Sequence, residues 1–147
     1  MDKLLVAYQF GLLNRKSQQV LVRLCKENGF ALTNAELILL MQLYREEGCM
    51  QDALADRLCV DRAVVTRIVQ SLERKGFVFR ERDGADGRKK HVHLTKEAKA
   101  REPFFHKIMF RWVEYLGEGL ASEDIRTLAR LLDVMVARAG KADTAVL

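Results

Sequence analysis

Residues 58–95 read as a short turn, a helix and then a glycine-turned two-stranded ribbon with Arg88 near its tip. Few folds accept that succession. A helix sized for the DNA major groove, followed by a cationic hairpin able to reach a neighbouring groove, describes a winged helix-turn-helix. Cys59-Val60 makes the turn, and Asp61 is placed to cap the helix that continues to Lys75. Gly76 is its stop signal. Residues 77–82 alternate as a strand, Asp83-Gly84-Ala85-Asp86-Gly87 is turn chemistry, and residues 89–94 form the return strand. On the helix, Val65, Ile68, Val69 and Leu72 share a face suited to burial, which turns several of Arg62, Ala63, Val64, Thr66 and Arg67 outward.

The flanking segments are helical in pattern. In residues 2–27, Val6, Phe10, Leu13, Val20 and Leu24, with Ser17 in the remaining slot, are spaced alternately by four and three, and Leu4, Leu12 and Leu21 widen the stripe. Such a seam serves helix association between chains or an amphipathic helix on its own core, and the pattern leaves both open. Asn28-Gly29 ends this helix. Thr33-Asn34-Ala35-Glu36 reads as a capping box, and the run after it, through Leu37, Ile38, Leu39, Leu40, Met41 and Leu43, is apolar on most faces, as a central helix would be. Gly48 stops it, and a short helix follows with Ala55 and Leu58 inward. Thr95 caps a long helix bearing Phe104, Phe105, Ile108, Met109, Trp112, Tyr115 and Leu116. Pro103 lies inside it and predicts a kink or break over residues 99–103. Ser122 caps a last helix with Ile125, Leu128, Leu131, Leu132 and Met135 on its apolar side, Gly140 ends it, and a loose tail follows. The fold class is mainly α with a small β-wing: a winged helix-turn-helix core flanked by N- and C-terminal helices.

Composition narrows the function classes. At 147 residues and 49% hydrophobic, the chain can bury a core. A net charge of +5 and a pI near 9.3 permit a polyanionic partner without specifying one. No run of about 18 apolar residues predicts a membrane span. The start, Met-Asp-Lys, has no signal-peptide layout. Cys25, Cys49 and Cys59 are odd in number and lack CxxC spacing, against a disulfide framework or zinc ribbon, so a reducing cytoplasm is the default. His91-x-His93 puts two imidazoles on one strand face with no third ligand, so no metal is expected, and no cofactor. No nucleophile–base pairing or phosphate-cradling glycine loop argues for an enzyme.

The DNA chemistry follows from residue type. Arg62 and Arg67 can reach phosphates or fork onto guanine O6 and N7. Thr66 can donate to a phosphate, Ala63 and Val64 can meet thymine methyls, and Lys89 and Lys90 suit phosphates. The order of motifs resembles the MarR family of bacterial transcriptional regulators over nearly the whole chain. Asp86-Gly87-Arg88, five residues and then Leu94-Thr95 is similar to that family's wing signature. Leu72-Glu73-Arg74-Lys75-Gly76-Phe77-Val78 resembles its junction between recognition helix and wing, and Leu32-Thr33 opens a leucine-rich helix as in the family. Ala55, Leu58, Val60, Val65 and Ile68 fall where such a motif packs its two helices. Cys59 stands where glycine is common and tolerates positive φ poorly. Gln51 replaces a better Ser or Thr cap, Ala98 replaces a frequent glycine, and Pro103 is unusual.

The resemblance implies that Arg88 enters the minor groove with Asp86 orienting it. It implies a DNA-binding lobe over residues 32–95 within a single MarR-like chain. Residues 2–27 and 96–139 then form a dimerisation lobe in which Phe10, Leu13, Leu24, Leu128, Leu131, Leu132 and Met135 interlock two copies. It also implies a small aromatic or anionic effector between lobes, for which Phe10, Asn14, Met41, Tyr44, Phe105, His106 and Met109 are the candidates. The expectation is a cytoplasmic homodimeric repressor, responsive to a ligand, on a pseudo-palindromic operator in double-stranded DNA. The alternatives are a winged-helix module that binds protein, and a redox-sensing member of the family acting through Cys25, Cys49 in its loop, or Cys59.

Overall fold

The capping box at Thr33 shows how local chemistry sets the element boundaries. Its hydroxyl accepts from the Glu36 amide at 3.2 Å, and its own amide donates to the Glu36 carboxylate at 2.7 Å. The computed structural model describes residues 3–142; the expected loose tail beyond, and the proposed helix start at residue 2, lie outside the described residues. The elements are α1 (Lys3–Glu27), α2 (Asn34–Arg45), β1 (Cys49–Met50), α3 (Gln51–Leu58), α4 (Arg62–Arg74), β2 (Val78–Arg82), β3 (Lys90–Leu94), α5 (Lys96–Leu116) and α6 (Ser122–Ala139). The chain divides into two compact units, Met1–Phe110 and Arg111–Leu147, with the boundary inside α5.

The first unit holds the core. Leu37, Leu39, Leu40 and Leu43 of α2 are buried, as are Leu54 and Ala55 of α3 and Val65, Val69 and Leu72 of α4. Each buried branched side chain contributes about 1.5–3 kcal/mol. Phe77, Val78, Val92 and Leu94 bring the ribbon onto this core, and Ala98, Phe105 and Ile108 bring α5. The sheet order is β1-β3-β2, antiparallel throughout, with Val78 opposite Leu94, Arg80 opposite Val92 and Arg82 opposite Lys90. The two five-residue strands are joined by residues 83–89, closed by the Asp83 amide on the Lys89 carbonyl at 2.9 Å.

Five expectations change, the first being the cap of α3, which is Met50 and not Gln51. Cys49 lies in a strand, not a loop: β1 pairs Cys49 with Val92 and Met50 with His91. Gly48, at φ 76°, turns the chain into that pairing, with its amide 3.1 Å from the Val92 carbonyl. Asp61 occupies the N-cap of α4 in extended geometry but makes no side-chain cap bond; its backbone carbonyl receives the Val64 and Val65 amides instead. Ala121, not Ser122, is the N-cap of α6, because its carbonyl is the first to accept, from the Ile125 amide at 3.2 Å. Finally, of the kink or break expected at residues 99–103, the break does not occur: α5 is one helix through Pro103. Pro103, an exposed residue, costs the helix one donor, the amide that would meet the Lys99 carbonyl.

In the second unit, α6 buries no residue within the single chain. Trp112 stacks on Tyr115 with ring centres 5.8 Å apart. Gly117 approaches Ile125 so closely that an added Cβ would lie 3.3 Å from its Cδ1.

Candidate nucleic-acid interface

The turn between α3 and α4 depends on an unusual backbone. Cys59 is left-handed, at φ 53° and ψ 43°, and its amide reaches the Ala55 and Asp56 carbonyls. Val60 returns its amide to Ala55 at 3.1 Å. This closure ends α3 within one residue and redirects the chain into α4. Ala55 of α3 and Val65 of α4 are buried, and Leu58 and Ile68 are half-buried, whereas Val60 stays exposed.

With Val65, Val69 and Leu72 inward, Arg62, Ala63 and Arg67 are exposed, and Val64 and Thr66 are half-buried. Thr66 donates to the Arg62 carbonyl at 3.0 Å and accepts from Gln51 Nε2 at 3.2 Å. Gln51 Oε1 is the buried side-chain acceptor left without a partner among the described residues. Arg62 Nε lies 3.4 Å from Asp52, an exposed pair that exchanges readily with other anions.

The ribbon tip is knitted by aspartates. Asp83 accepts the Ala85 amide at 3.0 Å, which holds its carboxyl below the usual range together with His91. Asp86 accepts the Arg88 amide at 3.1 Å. Asp86 therefore acts on the backbone of Arg88, fixing the turn from which the guanidinium projects. Arg88, Lys89 and Lys90 line one cleft with Arg62, Thr66, Met50, Gln51 and Asp52, with a volume of about 380 Å³. Four cations face one carboxylate there, a surface suited to a phosphate backbone. Ala63, Val64 and Arg67 do not line this cleft; Ala63 and Arg67 are exposed beside it and Val64 is half-buried. Sequence reasoning missed Met50 and Asp52 and treated Gln51 only as a cap; the two-residue β1 that carries Met50 to the wing has no pattern of its own.

The MarR family model matches residues 32–90, the segment that carries this turn, this helix and the ribbon up to the start of β3. A MarR transcriptional regulator from Methanosarcina mazei Go1, solved by crystallography, is 31% identical, with a TM-score of 0.89 over 95% of this chain and 99% of that one. The chain belongs to the MarR family of transcriptional regulators. Membership makes it a regulator of transcription and not an enzyme. The uncharacterized HTH-type transcriptional regulator YybA of Bacillus subtilis is 28% identical over 69% of this chain and 67% of its own length. The chain spans about half to two thirds of the curated relatives it matches. A MarR family regulator from Listeria monocytogenes, crystallised with a 26mer DNA, shares the fold at 19% identity and a TM-score of 0.85, over 96% and 91% of the two chains.

Within this MarR chain the seven effector candidates fall in three places. Met41 and Met109 line an apolar groove of about 260 Å³ with Leu21, Ile38 and Leu58. Tyr44 has its ring centre 6.0 Å from Phe105 and 5.9 Å from His106. Its hydroxyl donates to the Ala98 carbonyl at 2.7 Å, and burial, aided by Glu102, pushes its ionisation up. Phe105 is fully buried and His106 exposed. Phe10 sits in a shallow apolar groove formed by α1 alone, and Asn14 accepts from Gln18 on the exposed side of the same helix. Of the dimerisation candidates, Leu24 and Leu132 are half-buried; Phe10, Leu13, Leu128, Leu131 and Met135 are exposed.

The histidines and cysteines have local roles. His91 Nδ1 meets the Gly48 carbonyl at 2.9 Å, and His93 stacks on Phe79. No group of three His, Cys, Asp or Glu side chains is placed to hold a metal among the described residues. Cys25 is fully enclosed, and burial pushes its thiol up to about 11. Burial also raises Cys49, against the opposing pull of Arg57. Cys59 is exposed. No helix among the described residues is long and apolar enough to cross a membrane.

Proposed function

We propose that this MarR-family regulator binds double-stranded DNA sequence-specifically as a homodimer and represses transcription from a pseudo-palindromic operator. The observation that carries the DNA reading is the single cleft in which α4 and the wing tip meet, with Arg62 and Thr66 on one wall and Arg88, Lys89 and Lys90 on the other. A duplex offers phosphates to the lysines, a major groove to the exposed side of α4 and a minor groove to Arg88. Arg62, Ala63, Val64, Thr66 and Arg67 then face base edges or their flanking phosphates, while Asp86 holds the Arg88 turn in place. The Listeria monocytogenes relative crystallised with a 26mer DNA supports the same partner.

The homodimer reading rests on the apolar residues that α1 and α6 leave exposed, and two-fold symmetry then sets half-sites about one helical turn apart. A small aromatic or anionic effector, entering beside Met41 and Met109 or beside Tyr44 and His106, releases the operator. The cytoplasm is the compartment where such DNA is met. Residues 32–95 act as the DNA-binding lobe; residues 2–27 and 96–139 act in dimerisation.

Selection from a random duplex pool at near-physiological salt tests this reading. The expected result is an inverted repeat with half-sites about one turn apart. Arg88→Ala is expected to weaken that binding by about 1–3 kcal/mol with the dimer intact. Recovery of salt-sensitive background without a motif would overturn the proposal in favour of a regulator that binds only with its effector, or of a protein-binding winged helix.

A further inference from the structure

The last turn of α4 is a poor place for a carboxylate. Unpaired carbonyls give a helix C-terminus negative character, and Glu73 adds charge of the same sign there. Glu73 is nonetheless half-buried, and a fork meets it: Arg80 Nε lies 2.9 Å from Oε1 and Nη2 2.7 Å from Oε2. The two side chains are only 21% and 27% exposed, so this is not a solvated surface pair. Two parallel charge-assisted bonds fix a planar guanidinium in orientation as well as distance.

The position of Arg80 in the ribbon gives that restraint a direction. Val78, Arg80 and Arg82 share one face of β2, opposite Leu94, Val92 and Lys90 respectively. Val78, Leu94 and Val92 are buried there, and Lys90 lines the cationic cleft. Arg80 therefore stands between the root of the wing and its outer end. The covalent link from α4 to β2 passes through Gly76 at φ 78°, a backbone conformation with no side chain to brace it. Phe77 to Leu72 at 2.9 Å and Thr95 to Gly76 at 2.7 Å secure the root. The Arg80–Glu73 fork lies farther out, where a small angular error would carry to the tip as displacement of Arg88.

We propose that Glu73 and Arg80 are positioning residues: their ion pair sets the angle of the wing against the recognition helix and so decides where Arg88 falls on the duplex. This rests on the DNA reading above. Specific binding to the pool-selected duplex is measured with the full chain for wild type, Glu73→Gln, Arg88→Ala and the double variant. Glu73→Gln is expected to weaken binding about tenfold, and the loss caused by Arg88→Ala, about tenfold or more alone, to shrink below about threefold in its presence. The exchanged pair Glu73→Arg with Arg80→Glu is expected to recover most of the affinity, which a general loss of stability would not allow. Fully additive losses together with an inert exchanged pair would overturn the positioning role and leave the DNA reading standing. A wild-type chain that selects no duplex sequence would overturn both.

Discussion

Cys59 carries more strain than any neighbouring residue type would suggest. It is the one non-glycine residue at positive φ among the described residues, and a β-carbon in the left-handed region meets the following carbonyl. The helix-turn-helix geometry holds it there because Ala55 and Val60 must close the end of α3. Cys59→Gly is expected to raise stability by up to about 1 kcal/mol, net of the extra chain entropy of glycine, as read by urea denaturation. A lower midpoint would show that the cysteine side chain contributes packing that outweighs the strain. Glu36 presents the opposite case. Burial alone would raise its carboxyl, but Lys75, Ser71 and the Thr33 amide hold it below the usual range. A depressed folded pKa stabilises the fold above the unfolded value of about 4.3, and the contribution fades as pH falls through the folded value. Glu36→Gln is therefore expected to lose about 1–3 kcal/mol at pH 7, and the deficit to shrink as pH falls below the unfolded value of about 4.3. A deficit that stays constant as the pH is lowered through the acid range would refute the charge argument. The sequence shows half of this residue: Thr33 three positions away marks the cap. Ser71 and Lys75 are 35 and 39 positions away, and no local pattern announces them.

At the scale of elements, what was legible had a period and a cap. The stripe of Val65, Val69 and Leu72 and the alternation of Val92 and Leu94 are burial patterns written at 3.6 and 2 residues, so α4 and the wing follow from them. The strand β1 did not follow, because two residues cannot alternate and only β3 defines their register. The cleft suffered for the same reason: Arg62 and Arg88 were visible as cations, but Met50 and Asp52 reach them only through that short strand. Proline's local preference favours an interruption of α5, but the burial of Ala98, Phe105 and Ile108 on both sides of Pro103 holds the helix continuous. That packing stabilises the helix despite the missing donor, so the cost remains stored in it. Pro103→Ala restores an amide for the Lys99 carbonyl and is expected to raise the unfolding free energy by about 1–3 kcal/mol. A destabilised variant would mean that the helix geometry around residue 103 suits only proline.

For the whole molecule, the decisive fact is where apolar surface remains. Ile125, Leu128, Leu131 and Met135 recur along α6 at three- and four-residue steps, and all are more than a third exposed in the single chain. On α1, Leu5, Tyr8, Phe10 and Leu13 are likewise exposed. Isolated apolar side chains in water are ordinary, but a continuous helical stripe is not, and burying it against a second copy recovers about 25 cal/mol for each Å² removed from water. If that stripe is the dimer interface, a carboxylate in its middle must be desolvated or must part the chains. Leu131→Asp is expected to convert the sedimentation mass from twice that of the chain to that of one chain. Circular dichroism should show the helices retained, since no core residue of the first unit is touched. The same variant should bind a single half-site about as the wild-type lobe does and lose the gain from joining two half-sites, about 100-fold or more. Only an interface predicts both results from one substitution. An unchanged dimer mass would remove α6 from the interface, whereas a monomer with undiminished affinity for the full operator would show that the two lobes never needed to be joined.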